Sequence, residues 1–183
     1  MIKLTDCASD LDDAPNCLAF LDAWQRWRKD DPMPSTDRIK PEELGPAMSS
    51  LSVLEAHSQD SIKFRLVSAL LAEIMGEDFT GRNITSMVPE DNRQRALGRL
   101  WNVAAVPCGT ILAMTYIRPS GASLMTRRLI LPVAPMSSDQ PTWLYFAIEV
   151  FGDRPKPYDP PESTIAVMEE STYVDIGYGA HRN

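Results

Sequence analysis

The sequence predicts an α+β domain, and three features carry that prediction. Strand-like runs gather at 51–67 and 110–151 while helical periods fill the segments before and between them, without the one-for-one alternation of a doubly wound sheet. The phrase Pro89-Glu90-Asp91 opens the longest helical period with a proline in the first position and two acids facing the helix dipole. The length of 183 residues is that of one domain with appendages, typical domains running to roughly 100–200 residues, and 44% hydrophobic residues supply its core.

Taken in order, the first dozen residues are acidic and predict a frayed, disordered start. From Asn16 a helical period sets Cys17, Phe20, Leu21, Trp24 and Trp27 or Arg28 on one face, with Pro15 in the first turn. Two tryptophans on such a stripe suit a core or a dimer surface, because aromatics are enriched in both. The connector DPMPSTDRIKPEELGP follows, with a short helical turn expected at 41–44. Leu51 to Ala56 and Ile62 to Val67 read as two strands of a hairpin across His57-Ser58-Gln59-Asp60. Ala69 to Met75 is a short helix stopped by Gly76, and a second short piece surrounds Ile84 to Met87. The long helix runs from Pro89 to about Val106, burying Leu97, Leu100, Trp101 and Ala104. Strands follow at Thr110 to Ile117, Ser123 to Val133 and Trp143 to Phe151, the first two joined by a turn at Pro119-Ser120-Gly121. A proline-rich linker then leads to a tail with one amphipathic stretch at Thr164 to Val174.

Charge and cysteine content exclude several classes. A net charge of −7 argues against a general binder of nucleic acid or anionic membrane, both of which need a basic face. Arg93, Arg95 and Arg99, and the doublet Arg127-Arg128, read as solvated faces. Three cysteines without a Cys-x-x-Cys spacing suit free or buried thiols in a reducing compartment. The start has no signal-peptide pattern, and no run approaches the ~18 apolar residues of a membrane helix. A cytoplasmic protein is expected.

The most suggestive spacing for chemistry is IMGEDFTGRN, where Gly76 and Gly81 stand as in a phosphate-binding loop. Such a loop needs a buried strand before its first glycine and a lysine after its last. Here the preceding segment is helical in composition, and Arg82 and Asn83 replace the lysine and hydroxyl. Glu77 and Asp78 are adjacent rather than alternating, so they do not read as a calcium loop. His57 and His181 are the only histidines and lie in no metal-ligand or triad pattern, which disfavours zinc, haem and a serine or cysteine triad. Cys108 between Pro107 and Gly109 suits a buried thiol or a reactive one. Arg65 lies between Phe64 and Leu66 and points opposite to them: it is an outer-face residue in one register and a buried cation awaiting an anionic ligand in the other.

Together the phrases EIMGEDFTG, VPEDNRQRALGRLW, PSTDRIKPEEL and FRLV, in this order, resemble a PAS sensory domain, and in particular the single-domain PAS-like family of alphaproteobacteria, over residues 16–151. Two departures stand out: Asn92 is inserted before Arg93, and Ser68 replaces a glycine expected soon after the strand arginine. The resemblance implies a five-stranded antiparallel sheet with short helices and one long helix packed on one face. It divides the chain into a disordered 1–15, an N-terminal helix and connector at 16–50, the PAS-like domain at 51–151, and a linker and tail at 152–183. It implies a non-catalytic sensory or regulatory role, with a small molecule bound among Arg65, Leu66, Met75, Phe79, Ile84, Trp101, Met114 and Tyr116. No cofactor is expected, haem and a photoactive flavin being disfavoured for want of their histidine and cysteine. A signalling partner protein and a homodimer through Phe20, Leu21, Trp24 and Trp27 are expected, since the chain has no room for a catalytic output. The rival readings are a small α+β enzyme using Glu149 or Glu55 as general base, and a structural adaptor with a solid core.

Overall fold

A computed structural model describes residues 1–117, 123–137, 139–152 and 165–179. It is an α+β fold built on one mixed sheet of seven strands in the order β1-β7-β4-β5-β6-β2-β3. The strands are β1 (Ile2–Lys3), β2 (Leu51–Ser58), β3 (Ser61–Leu66), β4 (Gly109–Ile117), β5 (Ser123–Val133), β6 (Thr142–Phe151) and β7 (Ile165–Asp175). The helices are α1 (Pro15–Arg28), α2 (Ala69–Met75) and α3 (Glu90–Ala105), with short 3-10 turns between them. The five expected strands are present and antiparallel, β2 pairing both β3 and β6. Two more enlarge the sheet. The amphipathic stretch of the tail is β7, antiparallel to β4, and the start of the chain adds β1 in parallel to β7. The turn expected at 119–121 and the linker at 153–164 lie outside the described residues.

Each helix ends where its sequence directs. Ser68 stands at the N-cap of α2 with φ −66°, its hydroxyl accepting from Leu71 N at 3.1 Å while its own N–H donates to buried Ser52 Oγ at 3.0 Å. The serine thus caps a helix in ordinary backbone geometry, where a glycine would leave that amide unsatisfied. Gly76 closes the same helix in the left-handed region, at φ 76°, as a C-terminal glycine does. Pro89 precedes α3, and Glu90 and Asp91 occupy its first turn.

Both faces of the sheet are buried, by two separate cores. On one face α2, α3 and the turn at Ile84–Ser86 cover Leu54, Phe64, Leu112, Tyr116, Ile130 and Phe146. On the other, α1 and the N-terminal turns cover Leu51, Ile111, Leu129, Leu131, Val133 and Ala147. This corrects two expectations. The start of the chain is packed rather than frayed, with Cys7 and Leu11 fully buried. Phe20, Leu21, Trp24 and Trp27, expected at a dimer interface, are buried against this chain's own sheet, and Trp24 Nε1 donates to Pro132 O at 2.9 Å. The apolar stripe of α1 finds its partner within the chain, which leaves nothing on that stripe for a second copy. Among the described residues, no helix is long and apolar enough to cross a membrane.

Candidate functional site

The segment after α2 folds as a rim for the α3-side core. Gly76 and Gly81, at φ 76° and 87°, turn the chain twice and point Phe79 inward, where its ring meets Phe64 edge-on at 4.6 Å between centroids. Gly81 N donates to Phe64 O and Phe64 N to Arg82 O, at 2.7 and 3.0 Å, tying the segment to edge strand β3. Arg82 makes two hydrogen bonds with Glu77, at 2.8 and 2.7 Å, on the surface. Asp78 accepts from both the amide and the hydroxyl of Thr80. Glu77, Asp78 and Arg82 are thus used in closing this turn, while Asn83 donates to Asp60 O and accepts from Thr85 N.

Between α3, the Ile84–Ser86 turn and the sheet lies a cavity of about 90 Å³, walled by Leu54, Phe64, Ile84, Leu100, Ile130 and Phe146 among others. A second chamber of about 60 Å³ adjoins it under Leu71, Met75 and Phe79, and the two share Phe64, Ile84, Met87, Val88, Met114, Arg128 and Ala166. Three methionines, Met87, Met114 and Met168, line the larger chamber and give it an adaptable wall. Asn92, one of this chain's departures from the family phrase, also lines it. No histidine or cysteine of the described residues lines either chamber.

Two arginines give this apolar space its electrostatic character. Arg128 is 8% exposed, and its Nε and one terminal nitrogen have no hydrogen-bond partner among the described residues. Its guanidinium stands 5.4 Å from the Tyr116 ring and 5.6 Å from the Phe146 ring. Arg99, 9% exposed, reaches the space from α3, stacked 4.1 Å from the Tyr173 ring and bonded to Thr110 Oγ1 at a long 3.4 Å, with its Nε unpartnered. Burial pushes the Arg128 guanidinium down to about 10, which leaves it cationic at neutral pH, and burial lowers Arg99 in the same direction. Among the described residues, no aspartate or glutamate lines either chamber. Reading these arginines as solvated was wrong for both. The signal was present: Leu124, Thr126, Arg128 and Ile130 alternate onto one face of β5, and Ala96, Arg99, Leu100 and Val103 share a helical face.

The residues expected around a ligand divide between cavity and surface. Ile84 and Met114 line both chambers, and Met75, Phe79 and Tyr116 line the smaller. Trp101 is half-buried beside this core and lines neither chamber. Arg65 and Leu66 lie outside: Leu66 is 49% exposed, and Arg65 pairs with Glu55 at 3.5 Å on the far face of the sheet edge. The candidate general bases are equally distant in role. Glu55 sits between Arg65 and His57, and Glu149 accepts from Asn16 N at 2.8 Å, satisfying an amide in the first turn of α1 on the opposite face of the sheet.

All three cysteines are buried and free. Burial pushes Cys7 and Cys17 up to about 12 and Cys108 up to about 11, from an ordinary thiol value of 9. The raised values give a definite sign: stability is full below the unfolded value of 9 and is lost as pH climbs through the folded values of about 11 to 12. The native protein should therefore resist iodoacetamide at pH 8, label at three sites in 8 M urea, and show a falling unfolding midpoint only on the alkaline side of about pH 9. Rapid labelling of Cys108 in the native state would contradict this packing.

A comparison with protein families finds one whose description is PAS domain, matching residues 13–146. No match to a curated protein sequence was found. The matched span takes in α1, the connector, the hairpin, α2, α3 and most of the sheet, which are the elements that form both chambers except for the contribution of β7. With more than half of its residues covered by that match, and with a helix-capped sheet enclosing an apolar cavity, the chain belongs to the PAS domain family.

Proposed function

We propose that this chain is a ligand-binding sensory domain, its ligand seated in the two chambers between α3 and the sheet, its output a contact with a partner protein. PAS domains are in general sensory or regulatory and non-catalytic, and they often mediate dimerisation or protein interaction. The single observation that supports a ligand here is the cavity itself. Protein interiors are packed to crystal-like density, and a free space of about 90 Å³ walled by side chains from a helix, a turn and six strands departs from that rule. The elements around it are connected to the surface by short routes, because Ile84, Met87 and Val88 lie in and beside the turn that precedes α3. A ligand that displaced this turn would move the start of α3, giving the cavity a physical link to the outer surface. The connector PSTDRIKPEEL and the phrase FRLV support kinship with the PAS-like group found in alphaproteobacteria.

Saturation-transfer NMR with 1-hexanol and toluene tests the cavity, alongside native mass spectrometry of freshly purified protein. Saturable one-to-one binding is expected. Ala96→Phe, which adds a ring to the cavity wall on α3, should abolish it while leaving the circular dichroism unchanged. Absence of binding by both probes in the wild type, with no retained mass, would favour an adaptor with a solid core.

A further inference from the structure

The cavity's charge is more specific than its shape. An arginine in an apolar environment with unpartnered N–H groups costs several kcal/mol unless an anion compensates it. Arg128 is such a group, more than nine-tenths buried, unpartnered at two nitrogens among the described residues and lining both chambers. Arg99 enters the same larger chamber with one unpartnered nitrogen. A chain with 25 acidic residues and a net charge of −7 places none of the described ones on this wall. If the two cations existed only to be buried, leucine or methionine would serve the packing at lower cost. What the arrangement selects for is a guest that brings its own negative charge.

Size and polarity restrict the guest further. At ~10–15 Å³ per water-sized position, a space of about 90 Å³ holds roughly six to nine non-hydrogen atoms, and the adjoining chamber extends it. Nucleotides and haem exceed that volume. Inorganic phosphate or sulfate would fill only the guanidinium end and leave Leu54, Phe64, Ile130 and Met168 facing empty space. We infer that the cavity takes a small amphiphilic carboxylate, aliphatic or aryl, with its head on the Arg128 guanidinium, Arg99 as second donor, and its body along the apolar wall. This deepens the sensory reading and rests on it, for a solid core would admit no guest. The Tyr116 and Phe146 rings, 5.4 and 5.6 Å from the Arg128 guanidinium, flank it where it lines both chambers.

The test compares hexanoate with the neutral hexanol and hexanamide on the full chain by titration calorimetry. Hexanoate should bind about 10- to 100-fold tighter than either neutral probe, the range that a charge-assisted hydrogen bond contributes. Arg128→Met should remove that preference, lowering hexanoate affinity by the same factor while hexanol binding holds or improves. It should also unfold no earlier than the wild type, because an unpartnered buried cation has been replaced by an apolar side chain of similar length. A merely structural arginine would behave oppositely, losing stability without changing the ratio between probes. Equal affinity for hexanoate, hexanol and hexanamide in the wild type overturns the carboxylate inference and leaves the ligand-binding reading intact. Failure of all three to bind overturns both. The wild-type comparison decides the matter even if the variant fails to fold.

Discussion

Removing residues 153–183 should abolish cooperative folding, although everything removed lies beyond the segment that the family comparison matches. β7 is not an appendage. It pairs with β4 along the whole of that strand, from Gly109 opposite Val174 to Ile117 opposite Ile165, and it carries β1 on its other side. It contributes to both cores: Tyr173 packs on the α3 side, and Val174, with Ile176 just after the strand, on the α1 side. Tyr173 also supports the ring contact with Arg99 and accepts a hydrogen bond from Asn102 Nδ2 at 3.1 Å, while Thr172 O accepts from Thr110 Oγ1 at 3.0 Å. Without β7, β4 becomes an edge of nine residues with unpaired backbone groups, and apolar surface opens on both faces. That loss exceeds the whole stability of an ordinary domain, ~5–15 kcal/mol. The shortened chain should be insoluble on expression, or soluble without a cooperative thermal transition. A monodisperse product melting close to the full chain would show that β7 is dispensable.

Why β7 was read as an amphipathic tail is visible in its register. Met114 pairs with Met168 and Ala113 with Glu170, so the residue between them is extra, and the alternation changes phase at that bulge. Ala166 and Met168 face the cavity before the bulge and Tyr173 faces the same core after it. A period of two that slips midway does not look like a strand in sequence. The strands without an interior bulge, such as β4 and β5 against each other, were legible to within a residue, as were the glycine that ends α2 and the start of α3. The burial of Arg128 was obscured for a different reason. Its alternation placed it on a face of β5 with Leu124 and Ile130, but its neighbour Arg127 pairs with Asp13 and stacks 5.3 Å from Phe151 on the opposite face. A doublet of like charges gives no hint that one member is inside. Only knowing that both faces of the sheet are covered distinguishes the two, and that depends on where α1 docks, a contact of more than one hundred residues' separation, as in the bond from Trp24 to Pro132.

Trp24 is where this long-range contact is concentrated, and Trp24→Ala should lower the unfolding free energy by ~3–5 kcal/mol. The side chain is 0% exposed and is among the largest fully buried in the chain. It also donates to Pro132 O, near the end of β5, so the truncation removes a buried hydrogen bond as well as leaving a void. Trp24→Phe separates the two costs: it keeps most of the ring and loses the N–H, and should cost ~1–2 kcal/mol. Urea unfolding followed by circular dichroism measures both, with Trp24→Ala moving the midpoint without changing the sedimentation coefficient of the native species. The rival idea, that the tryptophan stripe joins two copies, makes the reverse prediction. Under it, Trp24→Ala would convert a dimer to a monomer at little cost to the fold of each chain. The two outcomes are exclusive for a physical reason: a side chain without solvent exposure in one chain has no surface left to offer another. An observed dimer that survives Trp24→Ala would have to use a different face. One that dissolves while the midpoint stays fixed would mean that α1 leaves this sheet in solution.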